Sequence, residues 1–184
     1  DGTQAEYVRT PHADTSLFIP PEGVDDEVLL MLSAILPTGF ACGVLNGKVA
    51  PGSSVAIVGA GPIGLAALLT AQFYSPAMII VIDLDAGRLE IARQFGATQT
   101  IDSADGKAVE TVMALTAGRG VDTEIEAVGV PDTFVLCQDL VGAGGVIANI
   151  GVHGPKVDRH CERLWTKNIR EQTQPVGNDT TPTH

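Results

Sequence analysis

The chain has 184 residues, enough for one well-buried domain, with 45% hydrophobic residues, 21 glycines and only 4% aromatics. Its net charge of −11 argues against nucleic acid and anionic membrane as partners, since both require a positive surface. Cys42, Cys137 and Cys161 are scattered and odd in number, which argues against a disulfide framework and for a reducing, cytoplasmic setting. No signal peptide is visible. Pro37, Pro62 and Pro76 interrupt the longest apolar runs before they reach the roughly 20 residues of a membrane span. Beginning at Asp1 rather than Met, the chain reads as a processed piece of something longer.

In chain order, Tyr7, Val8, Leu17, Phe18 and Ile19 predict short strands separated by polar turns. Asp25, Asp26 and Glu27 then place negative charge at the start of a helix through Val28, Leu29, Leu32 and Ile35, which Pro37 is expected to end. A shorter helix follows over Gly39–Leu45, and Lys48–Ser53 is a turn. After that, strands and helices alternate. Strands are expected at Ser54–Val58, Met78–Ile82, Gln99–Ile101, Asp122–Val128 and Val146–Ile150. Helices are expected at Pro62–Tyr74, Arg88–Phe95, Lys107–Leu115 and Asp132–Val141. Gly142–Gly145 precedes a strand and reads as a helix C-terminal turn. The alternation predicts an α/β fold with a doubly wound parallel sheet, a Rossmann fold, spanning residues 25–170. Residues 1–24 stand outside it, and 171–184 form a polar, frayed tail.

The stretch Ser54–Gly64 reads S-V-A-I-V-G-A-G-P-I-G. An apolar strand stops at Gly59, Gly61 and Gly64 and a helical pattern follows, the arrangement that holds the pyrophosphate of a dinucleotide. Gly59 permits the tight turn, Gly61 lets the backbone approach the phosphates, and Gly64 lets the helix pack close to the strand. The first helical turn, Pro62, Ile63 and Gly64, brings free N–H groups and a partial positive charge. Asp83 stands directly after the second strand, roughly twenty residues beyond the glycine turn, where a carboxylate accepts the adenosine ribose hydroxyls and repels a 2′-phosphate. That favours NAD over NADP; otherwise Asp83 is an ordinary strand-end aspartate. Asp85 reads as a helix cap or surface charge, and Arg88 as a ribose contact or a solvated helix residue. Gly43–Lys48 is one residue too short for a P-loop and follows no strand.

These residues carry a wider resemblance. L-P-T-G-F at Leu36–Phe40, the V-x-P-G turn at Val49–Gly52, the glycine turn, and V-I-D-L-D at Val81–Asp85 occur in order. G-R-G-V-D at Gly118–Asp122, E-A-V-G at Glu126–Gly129 and G-V-I-A-N-I-G-V at Gly145–Val152 follow. The chain resembles the nucleotide-binding half of the zinc-dependent medium-chain alcohol dehydrogenases from about Glu6 to Asn168, with similarity fading after Ile169. The resemblance implies that Thr38 and the backbone at Ile150, Gly151 and Val152 meet the nicotinamide. It implies that Asp83 and Arg88 hold the adenosine ribose, and that Val128 and Gly129 pass the adenine. It further implies a small alcohol or aldehyde substrate, hydride transfer to NAD, and a zinc ion acting as Lewis acid in the complete enzyme.

The departures from the family pattern carry equal weight. The cysteine and Gly-His-Glu zinc ligands and the structural zinc lobe are absent, and residues 1–24 read as a remnant of the catalytic domain. Ala34 stands where bacterial members place a third zinc ligand, four residues before Thr38. No catalytic residue and no metal ligand is therefore assigned to this chain, and it is expected to be inactive alone. His153, His160 and Cys161 read as surface histidines and a half-buried thiol. Two alternatives stay open: a non-catalytic NAD-binding module, and a zinc-free quinone-type reductase, against which Asp83 counts. A homo-oligomer is expected, through an edge strand or through apolar surface around Tyr7–Ile19 and Val28–Leu36.

Overall fold

A computed structural model describes residues 4–173. Six parallel strands form one sheet in the order β3-β2-β1-β4-β5-β6. They are β1 (Ser54–Val58), β2 (Met78–Asp83), β3 (Gln99–Asp102), β4 (Val121–Glu126), β5 (Val141–Asn149) and β6 (Arg170–Thr173). The helices that follow them are α2 (Pro62–Ala71), α3 (Ala86–Gln94), α4 (Ala108–Leu115) and α5 (Pro131–Leu140), preceded by α1 (Asp26–Ser33). Successive side chains along a strand face opposite sides. Val55 and Ile57 of β1 therefore join Leu68, Val81, Leu89 and Ile125 in one core layer. Ala56 and Val58 join Ile80, Val112, Phe134 and Ile147 in the other. Both faces are covered, which is why these strands read as continuous apolar runs. The doubly wound α/β fold expected from the alternation is the fold observed.

Four local expectations are corrected. Between residues 4 and 25 the only regular structure is one helical turn, Ala13–Ser16, and none of the expected strands forms. Tyr7 and Ile19 are 91% and 97% exposed. An extended segment with no neighbouring strand has nothing to take its ladder hydrogen bonds. Pro37 does not end the next helix either. The break falls at Ala34, with φ −146° and ψ −34°, after which Ile35–Pro37 resumes and runs into a π-helix over Thr38–Leu45, bent by 42° from α1. Pro37 lies within the opening turn of this second stretch, where its φ of −61° fits and its missing N–H costs no bond.

The π-helix lies flat on α2. A Cβ at Gly39 would fall 2.6 Å from Ala67 N, so the two helices touch backbone to backbone. Its wider turn shows in the bonds from Asn46 N to Ala41 O and from Val49 N to Val44 O. Gly142–Gly145 is not a turn outside the sheet but part of β5, with a register shift opposite Val121 and Thr123. Bulged backbone comes so close to the preceding loop that a Cβ at Gly142 would lie 2.5 Å from Arg119 O. Finally, β6 carries the sheet through Thr173, past the boundary expected at 170. The rest of the expected tail, 174–184, lies outside the described residues. Among the described residues no single helix is long and apolar enough to cross a membrane.

Candidate functional site

The strand order reverses between β1 and β4, and in open α/β sheets ligands bind outside the carboxyl ends of the strands at such a point. Gly59 leaves β1 with φ +104° and donates its N–H to Ile82 O at 2.8 Å. Gly61 begins α2 in extended backbone, and a Cβ there would meet nothing within 4 Å. Gly64 faces inward: its Cβ would collide with the carbonyl oxygen of Gly59. Pro62 stands in the first turn of α2, ahead of the first intrahelical bond from Leu65 N to Gly61 O. The N–H groups of Ile63 and Gly64 therefore have no partner within the helix.

Asp83 closes the turn from the side. Its Oδ2 accepts Ala60 N–H at 2.6 Å and its Oδ1 accepts Asp85 N–H at 2.9 Å. Asp85 caps α3 by accepting from Gly87 N and Arg88 N, and the Arg88 and Gly87 N–H groups hold its carboxyl below the usual carboxylate range. A groove of ≈ 890 Å³ runs past Gly59, Gly61, Asp83, Arg88 and Val128. Thr38, Pro62, Ile63, Gly64, Gly129, Ile150, Gly151 and Val152 do not line it. Pro62–Gly64 lie behind it in the first turn of α2. Gly129 and Val152 meet in the adjoining loops, where a Cβ on Gly129 would lie 2.7 Å from Val152 O. The π-helix begins at Thr38, and a Cβ at its Gly43 would lie 3.0 Å from Ile150 Cδ1. A second depression of ≈ 540 Å³ sits at the opposite end of the sheet, where Ser54 N–H and Oγ–H both donate to Asp122 Oδ2. There the carboxylate is engaged in joining β1 to β4, and no strand carboxyl end faces it.

Two buried acids on β4 were not singled out from sequence. Glu124 and Glu126 alternate with Thr123 and Ile125, so both point to the α5 face, and both are fully buried. That parity was the available signal. Glu126 is well supplied with donors: Val128 N at 3.0 Å, Gly129 N at 2.9 Å and Thr133 Oγ1 at 2.7 Å. Glu124 has no hydrogen-bond partner on either oxygen, and the Cys137 thiol lies beside it without forming a bond of good geometry. Burial pushes the Glu124 carboxyl well above the usual carboxylate range. The Glu126 charge acts in the same direction and the Cys137 thiol against it.

His153 corrects the surface-histidine expectation. Its side chain is 10% exposed, lies 3.5 Å from Glu126 Oε2, and stacks edge-on against Phe134. His160 bonds to Glu162 instead, and the Cys161 thiol is exposed rather than half-buried. Among the described residues no three His, Cys, Asp or Glu side chains converge on a point where a metal ion would fit.

The family model for zinc-binding dehydrogenases matches residues 62–183. The chain belongs to this family. It corresponds to the nucleotide-binding portion of the zinc-type medium-chain alcohol dehydrogenases. The match runs on past Ile169, so the expected fading of similarity there is overturned. The structure is similar to zinc dependent alcohol dehydrogenase 2 from Streptococcus pneumonia (apo form), with a TM-score of 0.94 and 56% identity over 99% of this chain and 52% of that one. It is 42% identical over 153 residues to an alcohol dehydrogenase of Cupriavidus necator, covering 83% of this chain and 42% of the relative. An NADP-dependent isopropanol dehydrogenase of Clostridium beijerinckii is 33% identical over 168 residues, covering 88% of this chain and 48% of the relative. This zinc-binding dehydrogenase chain thus spans about half the length of its relatives.

Proposed function

We propose that the chain is the cofactor-binding part of an alcohol dehydrogenase and that it takes NAD in the groove at the carboxyl ends of β1, β2 and β4. The observation that carries this reading is that Gly59, Gly61 and Asp83 line one groove. The bare Cα of Gly61 leaves room for a pyrophosphate against the first turn of α2, whose N–H groups and partial positive charge suit an anion. Each oxygen of Asp83 already accepts one backbone N–H and keeps a second lone pair for a ribose hydroxyl. A 2′-phosphate would meet that carboxylate, which favours NAD. Arg88 flanks the ribose, Val128 and Gly129 the adenine, and Thr38 with Ile150, Gly151 and Val152 the nicotinamide end.

When bound, the nicotinamide supplies the hydride acceptor for oxidation of a primary or secondary alcohol, or the donor for the reverse reaction. The residues of this chain bind and orient it. No zinc step is assigned to them, because the described side chains offer no ligand set. The chain alone is therefore expected to bind cofactor without turning over alcohol. It is also expected to self-associate, either through the outer edge of β6 or over the exposed apolar side chains of Leu17–Ile19 and α1.

Calorimetric titration with NAD and NADP tests the cofactor. NAD should bind at least tenfold more tightly, the factor of one charge-assisted hydrogen bond. Tighter NADP binding overturns the role of Asp83, and binding of neither overturns the site. Robust alcohol oxidation by the purified chain would refute the expected inactivity, and a clean monomer in light scattering would refute the self-association.

A further inference from the structure

Two backbone loops meet beside the groove, and one acid holds both. The carbonyl of Glu126 accepts Ile150 N–H at 2.8 Å and Gly151 N–H at 3.1 Å, fixing the start of the loop after β5. Its carboxylate accepts Val128 N–H and Gly129 N–H, fixing the loop after β4. No slack separates the two. A Cβ at Gly151 would strike Glu126 Oε2 and Gly129 N, and a Cβ at Gly59 would lie 2.7 Å from Val128 Cγ2.

His153 secures the other end of the β5 loop. Its Nε2 lies 2.9 Å from Asn149 Oδ1 and 3.5 Å from Glu126 Oε2, and Glu126 and Asn149 are register partners in the sheet. Both oxygens are acceptors, so the proton sits on Nε2. The imidazole meets the Phe134 ring at 75° with centroids 5.7 Å apart, which sets its plane. Residues 150–152 are thereby pinned at both ends: Glu126 O holds the first amides, and the His153 ring folds back onto the same acid. Val152, between the pins, is 92% exposed.

We propose that His153 is a positioning residue for the nicotinamide end of the cofactor, acting through Glu126 and Asn149 to hold the Ile150–Val152 backbone in a binding-ready arrangement. This rests on the NAD reading above. A loop fixed in advance loses little conformational entropy when a ligand arrives, whereas a loosened loop pays that entropy out of the affinity. At the adenosine end, Asp83 lies outside this arrangement. Val128 and Gly129 are held most closely by Glu126 Oε1 rather than by the Oε2 that faces His153, so an adenosine ligand should sense His153 far less than NAD does.

The test uses the full 184-residue chain, with NAD and AMP as calorimetric ligands and a thermal melt for each variant. His153→Ala should weaken NAD about tenfold, the size of effect expected when a loosened loop must be ordered on binding. AMP affinity should stay within about twofold. His153→Gln, whose side-chain amide keeps a donor near the Nε2 position, should recover most of the NAD affinity. A His153→Ala chain that binds NAD like the parent overturns the proposal. So does one that loses NAD and AMP equally, or one that fails to fold, since either places the residue in the fold rather than at the site. A parent chain that binds AMP but not NAD overturns the nicotinamide-end assignment, and one that binds neither overturns the dinucleotide reading itself.

Discussion

Asp83 accepts the Ala60 N–H at 2.6 Å, so the acid at the end of β2 and the glycine turn after β1 form one structural unit. Asp83→Asn keeps the shape but replaces one acceptor oxygen with an NH₂ that must face either Ala60 N–H or Asp85 N–H. The variant should lose about 1–3 kcal/mol of stability, the cost of a donor left facing a donor. It should also lose roughly tenfold or more in NAD affinity. Urea melts and titration calorimetry measure the two losses. Unchanged NAD binding would remove Asp83 from the site.

Gly61 and Gly64 are alike in sequence and opposite in consequence. A Cβ at Gly61 enters open space, so Gly61→Ala should leave stability within about 0.5 kcal/mol of the parent while blocking the approach of a phosphate. A Cβ at Gly64 runs into the Gly59 carbonyl, so Gly64→Ala should cost about 3 kcal/mol or more through forced separation of α2 from β1. Melting and NAD titration of the pair should separate: one variant folds and does not bind, and the other unfolds early.

Glu124 gives a pH dependence of definite sign. Its folded-state acidity is raised by burial, so the folded chain holds a proton there that the unfolded chain releases once the pH exceeds the usual carboxylate range. The stability from this group is fully present below that range and is lost as pH rises toward the folded value. The slope is about 1.4 kcal/mol per pH unit within the window. Glu124→Gln stays neutral throughout. The difference in stability between variant and parent, from denaturant melts over about pH 4 to 8, should grow in favour of glutamine as pH rises. A flat difference would show that Glu124 is ionised in the fold.

Thiol reactivity should divide the cysteines. Cys42 and Cys137 are buried, and burial pushes both thiols up; for Cys137 the Glu124 and Glu126 charges add to this. Cys161 is exposed. A disulfide reagent should label one thiol rapidly in the folded chain, and Cys161→Ser should abolish that fast phase. Rapid labelling of a second thiol would mean that a buried cysteine is opened by local motion.

Val55–Val58 and Met78–Ile82 were legible because strands covered on both faces must be apolar throughout, and the glycines between β1 and α2 each answer a local steric demand. Asp83 is legible as the residue that ends β2, because the apolar run Met78–Ile82 stops there. Glu126 and His153 are not. Their meeting depends on the β4–β5 register, which only the assembled sheet provides. In sequence the π-helix is indistinguishable from an ordinary helix, because a π-turn and an α-turn differ in hydrogen-bond step, not in composition. Gly142–Gly145 reads equally well as a turn or a bulge; the close approach of Arg119 O decided between them. The strands expected near Tyr7 and Leu17 failed for want of a neighbour, which no local pattern reports.

The groove draws one wall from Gly59–Arg88 and the other from Ala127–Leu136, segments that meet only because β1 and β4 lie side by side. A chain with only its first three strands paired has half a groove. Ligand binding therefore reports completion of the β1–β4 seam, a contact between distant parts of the chain of the kind that forms slowly in folding. A saturating dinucleotide would then act as a folding ligand. It adds about 2.7 kcal/mol to the stability of the closed sheet at one hundred times its dissociation constant and favours the assembled chain over its half-built forms.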